Sequence, residues 1–150
     1  MRNKIDELFR NNVYSAYLLT KEVCRMGNFS KDGGSIVFLS SIMGTHGEVG
    51  KSLYSMTKGA LISLSKSLAC ELALKKIRVN TISPGVIITP INENAPHISD
   101  PGKRQELEKK HLLGLGSVVD VANACIFYMS DASRWITGTN LFVDGGYNAV

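Results

Sequence analysis

Apolar positions along the chain switch between helical and strand-like spacing. Ile5, Leu8, Phe9, Ala16, Leu19, Val23 and Met26 recur every three or four residues, which predicts a helix over residues 6–26. Gly27, Ser30 and the Asp32-Gly33-Gly34 turn end it. Residues 35–40 then read as a strand whose apolar run, Ile36 to Leu39, is unbroken, as expected of a parallel strand covered on both faces. Ser52 is in position to cap a second long helix over residues 53–75. Leu61, Leu64, Ser65, Leu68 and Leu72 form its main stripe, while Ala60, Ser63, Ser67 and Cys70 keep another face small. Residues 77–83 read as the next strand, stopped by Pro84 and Gly85, so that strand, helix and strand predict a right-handed βαβ unit. Residues 91–116 are irregular, with a short helix opened by Asp100 as N-cap and Pro101 behind it. Gly114 and Gly116 read as a helix end, and Ser117 with Asp120 as a capping pair that opens a helix to about residue 129. Residues 139–143 are the last strand, closed by Asp144, Gly145 and Gly146. The pattern is that of an α/β fold with about three parallel strands and flanking helices.

Composition narrows the class. The 150 residues suffice for one domain with a sizeable core, and 44% are hydrophobic. No apolar run approaches the ~20 residues of a membrane span. The net charge of +4 is spread along the chain, densest at Lys75, Lys76 and Arg78 and at Lys103, Arg104, Lys109 and Lys110. A basic stripe interleaved with aromatics is absent, so neither nucleic acid nor a membrane is an expected partner. Cys24, Cys70 and Cys125 are odd in number and far apart, as in a reduced protein, and the cytoplasm is the expected compartment. His46, His97 and His111 show no metal-ligand spacing, and no metal is expected.

The chemistry concentrates between the first predicted strand and the second long helix. Tyr54 and Lys58 are four residues apart and share one helix face. A free phenol, with a pKa of about 10, is a poor base near neutrality, and a neighbouring ammonium favours its anion. Tyr-x-x-x-Lys alone is a common pair on amphipathic helices with a solvated lysine. What singles it out is Ser41, thirteen residues earlier at the mouth of the strand, followed by a pliable loop with Gly44, Gly47 and Gly50. Three polar groups can thus meet at the carboxyl end of a parallel strand, where open α/β sheets bind ligands.

These residues resemble the Ser…Tyr-x-x-x-Lys signature of the short-chain dehydrogenase/reductases. The resemblance continues through Asn12, the Arg78-Val79-Asn80 segment, the stretch from Pro84 and Gly85 through Ile87 to Thr89, Thr137-Gly138 and Val143-Asp144-Gly145-Gly146. The nearest likeness is to single-domain members such as 3-oxoacyl-acyl-carrier-protein reductases. It implies the C-terminal half of a Rossmann-like doubly wound parallel sheet. It also implies an NAD(P)-dependent enzyme that moves a hydride between nicotinamide and a ketone or secondary alcohol, with a 3-oxoacyl thioester among the candidate substrates. In that family Tyr54 would exchange the proton and Lys58 would hold the nicotinamide ribose. Ser41 would steady the substrate oxygen, and Asn12, on the apolar stripe of its helix, would bend that helix and hold a water in a relay to the lysine. Pro84, Gly85, Ile87 and Thr89 would meet NAD or NADP, and residues 91–116 would form the substrate loop.

The resemblance also implies what these residues lack. No stretch before residue 35 offers the Gly-rich strand-to-helix turn that cradles a pyrophosphate. Residues 1–150 are therefore expected to be one partial domain carrying the catalytic half, with the first strand as an open edge. Two other readings stand beside the enzyme: a truncated non-catalytic fragment or assembly module, and an epimerase or dehydratase of the larger related families. Secondary faces on the two long helices, with Tyr14, Tyr17 and Leu18 on one and Ala60, Ser63 and Ser67 on the other, predict a homodimer or homotetramer through residues 6–26 and 53–75.

Overall fold

The computed structural model describes residues 2–25 and 29–149. Three parallel strands form the main sheet, in the order β1 (Gly34–Leu39), β2 (Ile77–Pro84), β5 (Asn140–Val143). The α/β class, the three strands and their parallel sense are those expected. β2 is central and carries Val79, Asn80, Thr81, Ile82 and Ser83, each fully buried.

Side chains of a strand alternate between faces, and the partners on each face follow. Ile77 and Val79 join Phe38, Leu61, Leu68, Ala69 and Leu72 in one apolar cluster under helix α3 (Ser52–Leu72), and Thr81 bonds Ser65 of α3 at 2.7 Å. On the other face Ser35 donates to the Tyr128 carbonyl of α6 (Val118–Met129), and Arg78 donates to Ser133 and to the Ser130 carbonyl just beyond that helix. The two helices therefore cover opposite faces of one sheet. Asn80, also on the α6 side, staples β2 to the last strand. Its amide donates to the Ile136 carbonyl, and its oxygen accepts both the backbone N–H and the hydroxyl of Thr139.

The helix expected over residues 6–26 departs from the expectation in shape. It is α1 (Arg2–Phe9), a π-helical turn (Arg10–Tyr14) and α2 (Ser15–Val23). Met26 and Gly27 lie outside the described residues. A π turn inserts one extra residue into the ladder and re-aims the side chains it carries; Asn12 sits in it. The Lys75 ammonium donates to the Cys24 carbonyl at the end of this run, where a cation suits exposed carbonyls. On the predicted stripe Leu19 remains 67% exposed, beside the edge of β1 to which no strand among the described residues is paired.

Smaller elements differ as well. Lys51, not Ser52, holds the N-cap of α3, and a short 3-10 turn extends the helix through Lys75. The segment after Pro84 is not a simple turn: β3 (Ile87–Ile88) pairs in parallel with β4 (Gly116–Ser117), which replaces the expected helix end. Between them lie α4 (Pro96–Ser99) and α5 (Pro101–Lys110), the latter capped by Asp100, whose carboxylate accepts the Gly102 and Lys103 amides. Those bonds to the ionised form hold the Asp100 carboxyl below its ordinary value. The Ser117–Asp120 pair opens α6 as anticipated.

Asn80→Ala removes a hydrogen-bond partner from three part-buried groups, of which the Thr139 hydroxyl keeps its bond to Tyr128. Groups that water can partly reach lose less than fully buried ones, for which an unmade bond costs roughly 1–3 kcal/mol. Urea unfolding is expected to show a loss of about 1–3 kcal/mol, against well under 1 kcal/mol for an exposed control such as Glu106→Ala.

Candidate active site

The site is built where β1 runs into the loop ahead of α3. The Ser40 hydroxyl donates to the Lys58 backbone carbonyl at 2.8 Å, and the Lys58 ammonium donates to the Leu39 carbonyl at 2.8 Å. Strand end and helix are therefore stitched in both directions. The next residue, Ser41, caps a single 3-10 turn (Ile42–Gly44), its hydroxyl oxygen accepting the Met43 N–H at 3.2 Å. That use of a lone pair leaves the hydroxyl proton to donate elsewhere.

Close approach of this turn to α3 depends on a missing side chain. A Cβ on Gly44 would lie 2.9 Å from both Ser40 Oγ and Ile62 Cδ1 and 3.1 Å from the Lys58 carbonyl carbon. Gly59 gives the same proximity from the helix side, with the Gly44 carbonyl 3.1 Å from its own would-be Cβ.

Tyr54 stands one turn before Lys58, whose ammonium is 5.7 Å from the phenol ring centroid. Burial disfavours the charged form and lowers the Lys58 pKa. Ser41 and Tyr54 line one cavity of about 240 Å³, together with Gly85, Val86, Leu107 and Tyr147. Lys58 and Asn12 line a separate groove of about 590 Å³ along the free edge of β1. The tyrosine–lysine pair thus stands between two spaces. Asn12 does not touch Lys58: its Nδ2 donates to Thr57 Oγ1 at 3.0 Å, and the Thr57 hydroxyl donates to the Tyr54 carbonyl at 2.9 Å.

The remaining residues singled out in the sequence lie at the end of β2. Gly85 donates its N–H to the Val143 carbonyl beyond Pro84, the last residue of β2. The Asn92 side chain donates to the Ile87 carbonyl and accepts the Thr89 N–H, so that one amide ties the whole turn. A phenol and an ammonium suit ribose hydroxyls, and a turn with backbone groups and a threonine suits a carboxamide. The donor set therefore fits the nicotinamide end of a dinucleotide, whereas the 150 residues hold no Gly-rich turn for the pyrophosphate.

Sequence reasoning missed Thr57, Asn92, Tyr147 and His111. A hydroxyl three residues after Tyr54 was the available signal for Thr57; for the other three, none precedes knowledge of which loops meet. Among the described residues no group of His, Cys, Asp and Glu side chains could hold a metal ion, and no helix is long and apolar enough to cross a membrane.

Comparison with known proteins places this chain in a family. A family model described as enoyl-(acyl carrier protein) reductase matches residues 1–148. A 3-oxoacyl-[acyl-carrier-protein] reductase of Rattus norvegicus is 40% identical over 149 residues, covering 97% of this chain and 59% of its own. A 4-hydroxyisoleucine dehydrogenase mutant, solved with NADH and succinate, is 31% identical with a TM-score of 0.93, over 100% of this chain and 61% of its own. A gluconate 5-dehydrogenase from Burkholderia cenocepacia J2315, solved with NADP and tartrate, is 27% identical with a TM-score of 0.91, over 100% of this chain and 58% of its own. The chain belongs to the short-chain dehydrogenase/reductase family of oxidoreductases, with the Rossmann-like α/β fold. It spans about 59% of the length of the curated relatives it matches.

The packing of Gly44 on α3 yields a paired expectation. Gly44→Ala must displace Ser40 or Ile62 and is expected to cost about 1–3 kcal/mol in urea unfolding. Gly47→Ala, whose Cβ meets nothing within 4 Å, should be nearly neutral.

Proposed function

We propose that this chain is the catalytic part of an NAD(P)-dependent oxidoreductase that interconverts a small ketone and a secondary alcohol. The observation that carries the reading is the shared cavity of Ser41 and Tyr54 with a part-buried ammonium beside the phenol. In the reducing direction the Tyr54 hydroxyl donates its proton to the substrate oxygen, and the Ser41 hydroxyl donates a hydrogen bond to the same atom. The Lys58 ammonium steadies the negative charge that develops on the Tyr54 oxygen. In the oxidising direction the same groups receive the proton. Asn12 acts as a positioning residue through Thr57, with a water completing a relay toward Lys58. Lys58 and Tyr54 would hold the ribose of NAD or NADP, and Pro84, Gly85, Ile87 and Thr89 would flank its nicotinamide. The bound nucleotide supplies or takes up the two electrons of the reaction.

The cavity, at about 240 Å³, is smaller than the ~300–1,000 Å³ of drug-sized sites, which favours a short substrate or the reacting end of a longer one. Small hydroxy acids fit this as well as a 3-oxoacyl thioester does; both classes occur in the names of the relatives. Residues 91–116 would close over the substrate. The Rossmann-like domain would be completed by a nucleotide-cradling half along β1, and a reducing cytoplasm suits the three free cysteines. One observation favours the non-catalytic alternative: among the described residues β1 keeps an unpaired edge, beside which Leu19 is exposed, as in a fragment or assembly module.

Tyr54→Phe keeps the ring and removes the proton. In a full-length context turnover should fall by roughly 10²–10⁴-fold with the fold intact by circular dichroism; retained turnover would overturn the assignment.

Assembly has its own test. Val13, Tyr14 and Tyr17 share a shallow groove with Ala60, Ser63 and Ser67, so the secondary faces of the two long helices lie side by side. We propose a two-fold pairing across them, giving a homodimer or half of a homotetramer that buries more than ~1,000 Å². Ser63→Glu or Ser67→Glu should yield smaller species in sedimentation; an unchanged assembly would place the interface elsewhere.

A further inference from the structure

His111 follows α5 and is 2% exposed, yet it does not itself line the cavity. Both ring nitrogens are engaged. Nε2 lies 3.1 Å from the Val86 backbone nitrogen, and Nδ1 lies 2.8 Å from the Leu107 carbonyl. A backbone N–H can only donate, so Nε2 accepts, and the ring proton sits on Nδ1 and is donated to Leu107. The ring also packs against Tyr147, centroid to centroid 5.1 Å. Residue 85 must be glycine for the turn to come this close, because a Cβ there would lie 2.8 Å from Nε2.

Three walls of the cavity therefore converge on one buried ring. Val86 belongs to the turn after β2, Leu107 to α5 and Tyr147 to the C-terminal segment, and all three line the space that Tyr54 and Ser41 enter. His46 also packs on Tyr147, edge-on at 5.6 Å. We propose that His111 is a positioning residue that fixes these walls opposite Tyr54 and so sets the size of carbonyl compound the cavity admits. The inference rests on the function proposed above only in naming a carbonyl compound; the clamp itself is a property of this chain.

Three variants separate the bond from mere filling of space. His111→Gln can still accept from Val86, His111→Asn is too short to reach it, and His111→Leu fills the volume without polar atoms. In the 150-residue chain, amide exchange at Val86 should quicken about tenfold or more in the Asn and Leu variants and stay near wild type in Gln. The amides of Val79 and Ile82 in β2 should keep their protection in all three, which reports an intact fold. In a full-length context the Asn and Leu variants should raise KM for a small ketone such as acetoin about tenfold, change kcat less than about threefold, and accept a bulkier ketone such as acetophenone relatively better. Gln should restore most of the difference. Unchanged Val86 exchange in the Asn and Leu variants overturns the clamp, and so does equal impairment in all three. Quickened exchange with unaltered KM and selectivity overturns the role in the reaction. Should Tyr54→Phe remain active, the function falls while the exchange result still judges the clamp.

Discussion

The structure depends on a two-way stitch between a strand end and a helix. Ser40 gives its hydroxyl proton to the Lys58 carbonyl, and Lys58 returns its ammonium to the carbonyl of Leu39. Each such bond contributes only about 0.5–1.5 kcal/mol net, somewhat more where a charge takes part. Their weight lies in geometry. One residue past the stitch is Ser41, and one helical turn before it is Tyr54, so the serine and phenol are held against the same cavity before any ligand arrives. The stitch closes only because Gly44 and Gly59 let loop and helix come within van der Waals contact of backbone on backbone.

The same stitch explains the state of the sheet edge. Ser40 donates its N–H to the Ile82 carbonyl, toward β2. Backbone groups of successive strand residues point to opposite edges, so the Leu39 carbonyl points to the side on which no strand is paired. Lys58 satisfies that carbonyl with a group from within the chain. Leu19, Val23 and Phe29 line the groove beside it, an apolar surface that a further layer of the fold would cover. A chain spanning about 59% of its relatives would be expected to show an uncovered face of this kind.

Much of this was legible in the sequence because it is local or repetitive. The apolar run before Ser40, the stripe from Leu61 to Leu72 and the Pro84-Gly85 stop define β1, α3 and β2 to within a few residues. The Ser41, Tyr54 and Lys58 spacing pointed to one meeting place for three polar groups, whereas the structure puts Ser41 and Tyr54 in one cavity and Lys58 in the adjoining groove. What was not legible depends on distant chain meeting distant chain. The two-residue ladder of β3 and β4 joins residues 87–88 to 116–117, and two residues carry no periodicity. The π turn around Asn12 breaks a stripe whose spacing alone reads as one helix; only the resemblance implied a bend there. His111 was weighed only as a metal ligand, because nothing in its neighbourhood announces that Val86 and Tyr147 would fold onto its ring.

We propose that these residues carry the nicotinamide-facing half of a dehydrogenase site without the pyrophosphate cradle. Reduced nicotinamide mononucleotide, which lacks the adenylate half, isolates that claim in a titration followed by nuclear magnetic resonance of the labelled 150-residue chain. The account predicts concentration-dependent shifts confined to Ser41, Tyr54, Lys58 and the 84–89 turn, abolished by Lys58→Ala. Shifts elsewhere, or shifts that survive Lys58→Ala unchanged, would contradict it.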